Sequence, residues 1–242
     1  EMMWRFTGKT TALLSYEDVR RKLRANKQID RGLHDVRLDA IVGSVGRYND
    51  FTRTFSPKNR SDEQRWANLK VANGASQGLP PIELYKIGEA YFVLDGNHRV
   101  SIARENGAAS IQAYVTEVLT KVSITPSTSP DELLIKEQTL DFLEQTGLDE
   151  LRPEADFTVT APGKYRILLE HIEGHRYFLG LEWHHQPSWH DAVTHWYDHV
   201  YRPISALIRR YGIVENFPER TETDFYIWLA DNNGLKVVNA LR

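Results

Sequence analysis

Apolar positions along this chain of 242 residues switch between helical and strand spacing. Ser15, the acidic pair Glu17 and Asp18, then Val19, Leu23 and Lys27 at helical spacing predict a helix over 15–27 with an acidic first turn. Its Arg20, Arg21, Arg24 and Lys27 read as a solvated face. Val36, Leu38 and Ile41 predict a short extended piece, and the glycines of 43–48 a tight loop. Residues 51–60, polar and basic, predict an exposed loop. Ser61 with Gln64 three residues on is a capping signal for a helix through Trp66, Leu69 and Val71 that ends at 74–78. Ile82, Leu84 and Ile87 alternate as a strand, and the run 91–94 suits a buried one, the two forming a hairpin at Gly88 and Glu89. Asp95 closes that strand, Gly96 permits a turn, Val100 and Ala103 mark a helix that Gly107 ends, and Ile111, Ala113 and Val115 alternate once more.

Beyond Val122 the pattern changes. Residues 123–130, poor in apolar side chains and carrying two prolines, read as a linker. A helix follows over 131–148, then strands at 157–159, 165–170 and 177–182 with turns at Gly163 and Glu173–Gly174. Helices over 189–211, kinked or split at Pro203, and 221–229 complete the pattern. The expected class is α+β: a small mixed-sheet domain, then a second α+β domain with a hairpin and two or three helices. The expected divisions are an N-terminal helical segment 1–35, a domain 36–122, the linker 123–130 and a domain 131–242.

The chain has no cysteine, which removes disulfides, thiolate metal sites and cysteine nucleophiles. Hydrophobic residues at 41% and charged residues at 26% are the proportions of a globular protein, not of a disordered one. No apolar run is long enough to span a bilayer and no cleavable signal pattern opens the sequence, so a cytoplasmic protein without a membrane partner is expected. The net charge of -3 is uneven: residues 1–122 carry 19 Lys and Arg against 14 Asp and Glu, and residues 123–242 carry 11 against 19. Two halves that attract each other, or a basic half that faces phosphates, explain this equally well.

The strongest chemical signal is the strand, turn and helix from Tyr91 to Gly107. A helix that starts on a glycine turn leaves its first amides unpaired. Those donors, the helix dipole and the Arg99 guanidinium can converge on a phosphate. Gly96 allows close backbone approach, His98 can donate a hydrogen bond or shuttle a proton, and Asp95 can cap the helix, orient His98 or hold a ligand-bound metal. The bland alternative leaves Asp95 a cap, His98 a satisfied histidine and Arg99 a surface ion-pair partner.

The runs Leu79-Pro80-Pro81-Ile82-Glu83-Leu84-Tyr85, Tyr91-Phe92-Val93-Leu94-Asp95-Gly96-Asn97-His98-Arg99 and Ile111-Gln112-Ala113-Tyr114-Val115 resemble the ParB N-terminal and sulfiredoxin superfamily over about 36–117. Residues 36–41 resemble that family's first strand. The resemblance implies a ParB/sulfiredoxin-like fold in which the glycine-x-His-Arg turn binds nucleotide phosphates. Members include CTP-dependent partition proteins, ATP-dependent sulfiredoxins, a free-serine kinase and proteins labelled nucleases. Asn97 stands where sulfiredoxin has its reactive cysteine, and an amide cannot form a thiolate, so sulfinic-acid repair is excluded. The further phosphate motif and helix-turn-helix of partition proteins are missing after Val122, which disfavours operator reading. Runs 196–204 and 217–224 resemble a bacterial C-terminal domain family of unknown function, which adds no mechanism.

The resulting expectation is a nucleotide- or phosphate-binding protein, with NTP hydrolysis or phosphotransfer as candidate activities. Gly96, Asn97, His98, Arg99 and Arg47 are the phosphate-binding candidates, and Glu83, Asp95 and His98 the acid-base or metal candidates. ATP, ADP or CTP with Mg2+ is the expected cofactor, a phosphorylated small molecule the alternative ligand, and a homo-oligomer a candidate assembly. The first alternative is a DNA- or RNA-binding protein or nuclease using Arg47, Arg53, Lys58, Arg60 and Arg65, the second a non-catalytic regulatory module. Asp191, His195 and His199, spaced i, i+4 and i+8, form with Arg202 a polar stripe opposite Val193, Trp196, Val200, Ile204 and Leu207. The first three are weak metal candidates, since such a stripe is more often a solvated or domain-facing surface.

Overall fold

A computed structural model describes residues 13–46, 49–52, 55–56 and 80–231, and the chain divides into two compact units, Glu1–Leu133 and Leu134–Arg242. The class is α+β. The helix expected from Ser61, and Arg47, Arg53, Lys58, Arg60 and Arg65, lie outside the described residues. No described helix is long and apolar enough to cross a membrane.

The first unit is built on a six-stranded mixed sheet. Its strands are β1 (Leu14–Ser15), β2 (Lys27–Arg37), β3 (Ile41–Ser44), β4 (Ile82–Ile87), β5 (Ala90–Asp95) and β6 (Ser110–Leu119), in spatial order β1-β3-β5-β4-β6-β2. β4 and β5 form the expected hairpin, with Ile87 opposite Ala90. β5 then runs parallel to β3, and β4 parallel to β6. Because side chains alternate along a strand, Phe92 and Val93 enter opposite layers. Phe92 packs with Tyr16, Val19 and Leu23 of α1 (Tyr16–Lys22) and around it. Val93 packs with Val100 and Ala103 of α2 (Asn97–Glu105), together with Ile82, Leu84 and Val115. Each such side chain, fully withdrawn from water, is worth about 1.5–3 kcal/mol, and α2 is thereby fixed over the end of β5.

Three expectations change in this unit. The first helix stops at Lys22, where Arg24 takes a positive φ of 51°, and residues 27–37 form a strand along β6. The extended piece from Val36 is broken by a 3-10 turn, Leu38–Ala40. Gly43 lies in β3 and not in a tight loop: a Cβ there would come within 2.4 Å of the Leu14 carbonyl and 2.5 Å of the Phe92 ring. The glycine serves close strand approach. Residues 123–130 are packed on the hairpin, with Ile124 buried and its carbonyl accepting from Glu89 N at 2.8 Å.

Among the described residues the second unit is helical: α3 (Pro130–Thr146, which begins in the first unit), α4 (Leu148–Leu151), α5 (Lys164–Trp183), α6 (Trp189–Trp196), α7 (Arg202–Arg210) and α8 (Glu222–Asp231). The hairpin expected at 165–182 is the single helix α5. Its buried residues, Tyr165, Leu168, Ile172 and Leu179, recur every three to seven residues as one helix stripe, and residues 157–159 are not a strand either. The split at Pro203 takes the form of a π-turn, Tyr197–Tyr201, in which Arg202 N bonds to the Tyr197 carbonyl. A wider turn lets the helix pass a proline that has no N–H to give. The core centres on Phe142, Phe157, Trp196, Tyr201 and Tyr226.

Candidate functional site

β5 delivers Asp95 to a turn at Gly96, whose φ of 110° lies in the left-handed region. A Cβ at that position would sit 2.4 Å from Ile82 Cγ2, so both the dihedral and the packing demand glycine. α2 begins at the next residue, and its N-cap, Gly96, has no side chain with which to cap it. Val100 N makes the first intrahelical bond, to the Gly96 carbonyl at 3.0 Å. The amides of residues 97–99 therefore belong to the N-terminal end of the helix, which favours an anion. Asn97 is buried, and its Oδ1 has no hydrogen-bond partner among the described residues.

The four turn residues come together because they are contiguous, but Arg99 is not aimed outward. Its Nη1 donates to the carbonyls of Pro80 and Pro81 at 3.1 and 2.6 Å, and its Nη2 pairs with the Asp95 carboxylate. The Arg99 side chain is only 21% exposed while that of Asp95 is 69% exposed. Arg99 thus fastens the entry to β4 onto the turn. His98 is half-buried, with its ring edge-on to Phe51 at 5.3 Å. Glu83 is exposed and stands opposite Asp95 in the β4–β5 register. Two carboxylates therefore lie at the same end of the central strands β4 and β5, beside the helix mouth.

Arg104 carries no motif and was not among the candidates, yet it ties α2 to the turn before β3 through the carbonyls of Leu38 and Ile41, at 2.5 and 2.9 Å. Burial lowers its pKa from the usual arginine range. Only the fold reveals it.

In the second unit the polar stripe does not converge. Asp191 is engaged by the helix-capping Ser188, whose Oγ donates to its carboxylate at 2.6 Å. His195 Nδ1 lies 2.9 Å from Nε2 of His175 on α5, so one of the two nitrogens carries the shared proton. The His199 ring stacks on His195 at 4.0 Å. No group of three or more His, Cys, Asp or Glu among the described residues is arranged to hold a metal. Burial first, then neighbouring imidazoles, lowers the pKa of His175 and His195 below the ordinary value of 6.5. A depressed folded pKa means the unfolded chain binds the proton first, so the stability that neutral imidazoles give is complete above 6.5 and lost as pH falls below it. We expect the helical circular-dichroism signal to melt several degrees lower at about pH 5.5 than at about pH 7.5. His175→Gln should shrink that difference; an unchanged difference would remove these imidazoles as its cause.

No protein-family model matches the sequence, and no curated protein matches it. Among solved structures, the crystal structure of sulfiredoxin from Arabidopsis thaliana aligns with 34% of this chain and 82% of its own at 15% identity, with a TM-score of 0.24. That protein is a weak structural neighbour, and nothing about the site rests on it.

Proposed function

We propose that the first unit binds a phosphate-bearing ligand, a nucleotide foremost, at the N-terminus of α2. The observation that carries this reading is the glycine turn: a left-handed Gly96 packed on Ile82 opens a helix whose N-cap residue has no side chain to cap it, and amides at such a helix start are donors suited to phosphate oxygens. Arg99 acts as a positioning residue, holding Asp95 and the 80–81 carbonyls around the turn. Magnesium is commonly met by one or two carboxylates, with phosphates and water completing its shell. Glu83 and Asp95, register partners beside the turn, suit that pattern without a third protein ligand. His98, in the first turn of α2, is the proton-carrying candidate for hydrolysis or transfer of a terminal phosphate.

Isothermal titration of the full chain with ATP, ADP and CTP, with and without magnesium, tests the reading. Binding is expected to strengthen with magnesium, and Glu83→Gln to reduce that increment several-fold while sparing the magnesium-free affinity. No heat from any of the three at millimolar concentration would end the proposal.

A further inference from the structure

A cleft of about 600 Å3 opens in the second unit, far in sequence from the glycine turn. That volume lies within the range of about 300–1,000 Å3 typical of small-molecule sites. Its wall includes Ile213, Phe217, Phe225 and Trp228. Phe217 and Phe225 pack ring against ring at 5.5 Å, yet Phe217 remains 53% exposed and Trp228 60% exposed. Large aromatic surface left beside a concavity marks a place where something apolar is taken up.

The charges of the lining decide what kind of molecule fits. Lys164 and Arg220 both line the cleft. Arg220 Nη1 donates to Thr160 Oγ1 at 3.0 Å, a neutral group. The carboxylate in the lining, Asp224, is buried and already accepts from Thr160 N, Thr160 Oγ1 and Thr221 N at 3.3, 2.8 and 3.1 Å. Two cations against one satisfied carboxylate leave the lining positive. The surrounding half of the chain is acidic, 11 Lys and Arg against 19 Asp and Glu over 123–242, so a polyanion is repelled at longer range. A single negative charge on an apolar body meets both conditions.

We propose that this cleft binds a small amphipathic anion, an aryl or acyl carboxylate, whose body lies among Phe217, Phe225 and Trp228 and whose carboxylate meets Lys164 and Arg220. The test is titration of the full chain with decanoate and with naphthoate, followed by calorimetry and tryptophan fluorescence, with decanol and naphthalenemethanol as neutral counterparts. The carboxylates should bind about tenfold or more tighter than the alcohols, the size of one charge-assisted hydrogen bond. Arg220→Gln, at an exposed position, and Lys164→Gln should each reduce that preference while leaving alcohol affinity and the melting temperature unchanged. Trp228→Ala should weaken acid and alcohol together. Absence of carboxylate binding at millimolar concentration, equal affinity for acid and alcohol, or a preference that survives both charge substitutions would each overturn the assignment. Because ATP, ADP and CTP play no part in this titration, its failure leaves the phosphate site standing, and the reverse also holds.

Discussion

Gly96→Ala is expected to destabilise the first unit by roughly 2–5 kcal/mol, from about 1–2 kcal/mol for a side chain in left-handed backbone and about 1–3 kcal/mol for overpacking. The φ of 110° supplies the first part, and the Ile82 methyl 2.4 Å from the new Cβ supplies the second. Gly107 separates the two. It also has a positive φ, 72°, but nothing lies within 4 Å of a Cβ built there. Gly107→Ala should therefore lose only the backbone part, and the difference between the two variants in denaturant unfolding measures the packing of Ile82 against the turn. If nucleotide titrates to the α2 mouth, Gly96→Ala should also abolish that binding in the population still folded, whereas Gly107→Ala should leave it unaltered. Equal stability losses in the two variants would mean that Ile82 does not constrain the turn.

The same contrast between local and distant causes explains what was legible in the sequence. β4, β5, α2 and β6 were readable because each writes its own period: Ile82, Leu84 and Ile87, then Phe92 and Val93 within the 91–94 run, then Val100 and Ala103, then Ile111, Ala113 and Val115 are buried, while Leu94 near the end of β5 is exposed. β2 has no such rhythm. It is an edge strand, mostly exposed, and Val36 alone is buried along its length. Its strand character comes from pairing with β6 from Lys27 opposite Leu119 to Arg37 opposite Ser110, and from ion pairs such as Arg31 with Glu117. No local pattern announces partners more than seventy residues away.

α5 was misread for the opposite reason. Tyr177, Phe178 and Leu181 are strand-favouring or apolar, but they are exposed, and the positions that matter are Leu168, Ile172 and Leu179. Gly174, taken for a turn, lies mid-helix with open space around it. That error hid His175, which a helical reading from Lys164 would have set one turn after His171. At the glycine turn the contiguous residues were legible as a group, since adjacency in sequence guarantees adjacency in space. The orientation of Arg99 was not, because its acceptors, the Pro80 and Pro81 carbonyls, lie 19 and 18 residues back along the chain.

Trp196→Ala should produce the largest single loss in the second unit, about 3–5 kcal/mol, the usual cost of truncating a buried tryptophan. Trp196 is 1% exposed, and its Nε1 donates to the Tyr226 hydroxyl at 3.0 Å. Its ring also meets Tyr201 at 5.2 Å and Tyr226 at 5.8 Å. Removing it opens a cavity at the centre of the aromatic core and leaves the buried Tyr226 hydroxyl without that donor. Tyr201 and Tyr226 are themselves only 3% and 1% exposed, so little water reaches this core to replace the lost contact, and the same burial pushes the pKa of the Tyr201 hydroxyl up to about 12. Trp196→Phe should recover most of the packing but not the hydrogen bond, which is worth about 0.5–1.5 kcal/mol. The two substitutions, compared by chemical unfolding followed through the helical signal, separate volume from hydrogen bonding. If Trp196→Ala lost no more than Trp196→Phe, the indole would be peripheral, and α6, the π-turn and α8 would have to be held together by something other than this ring.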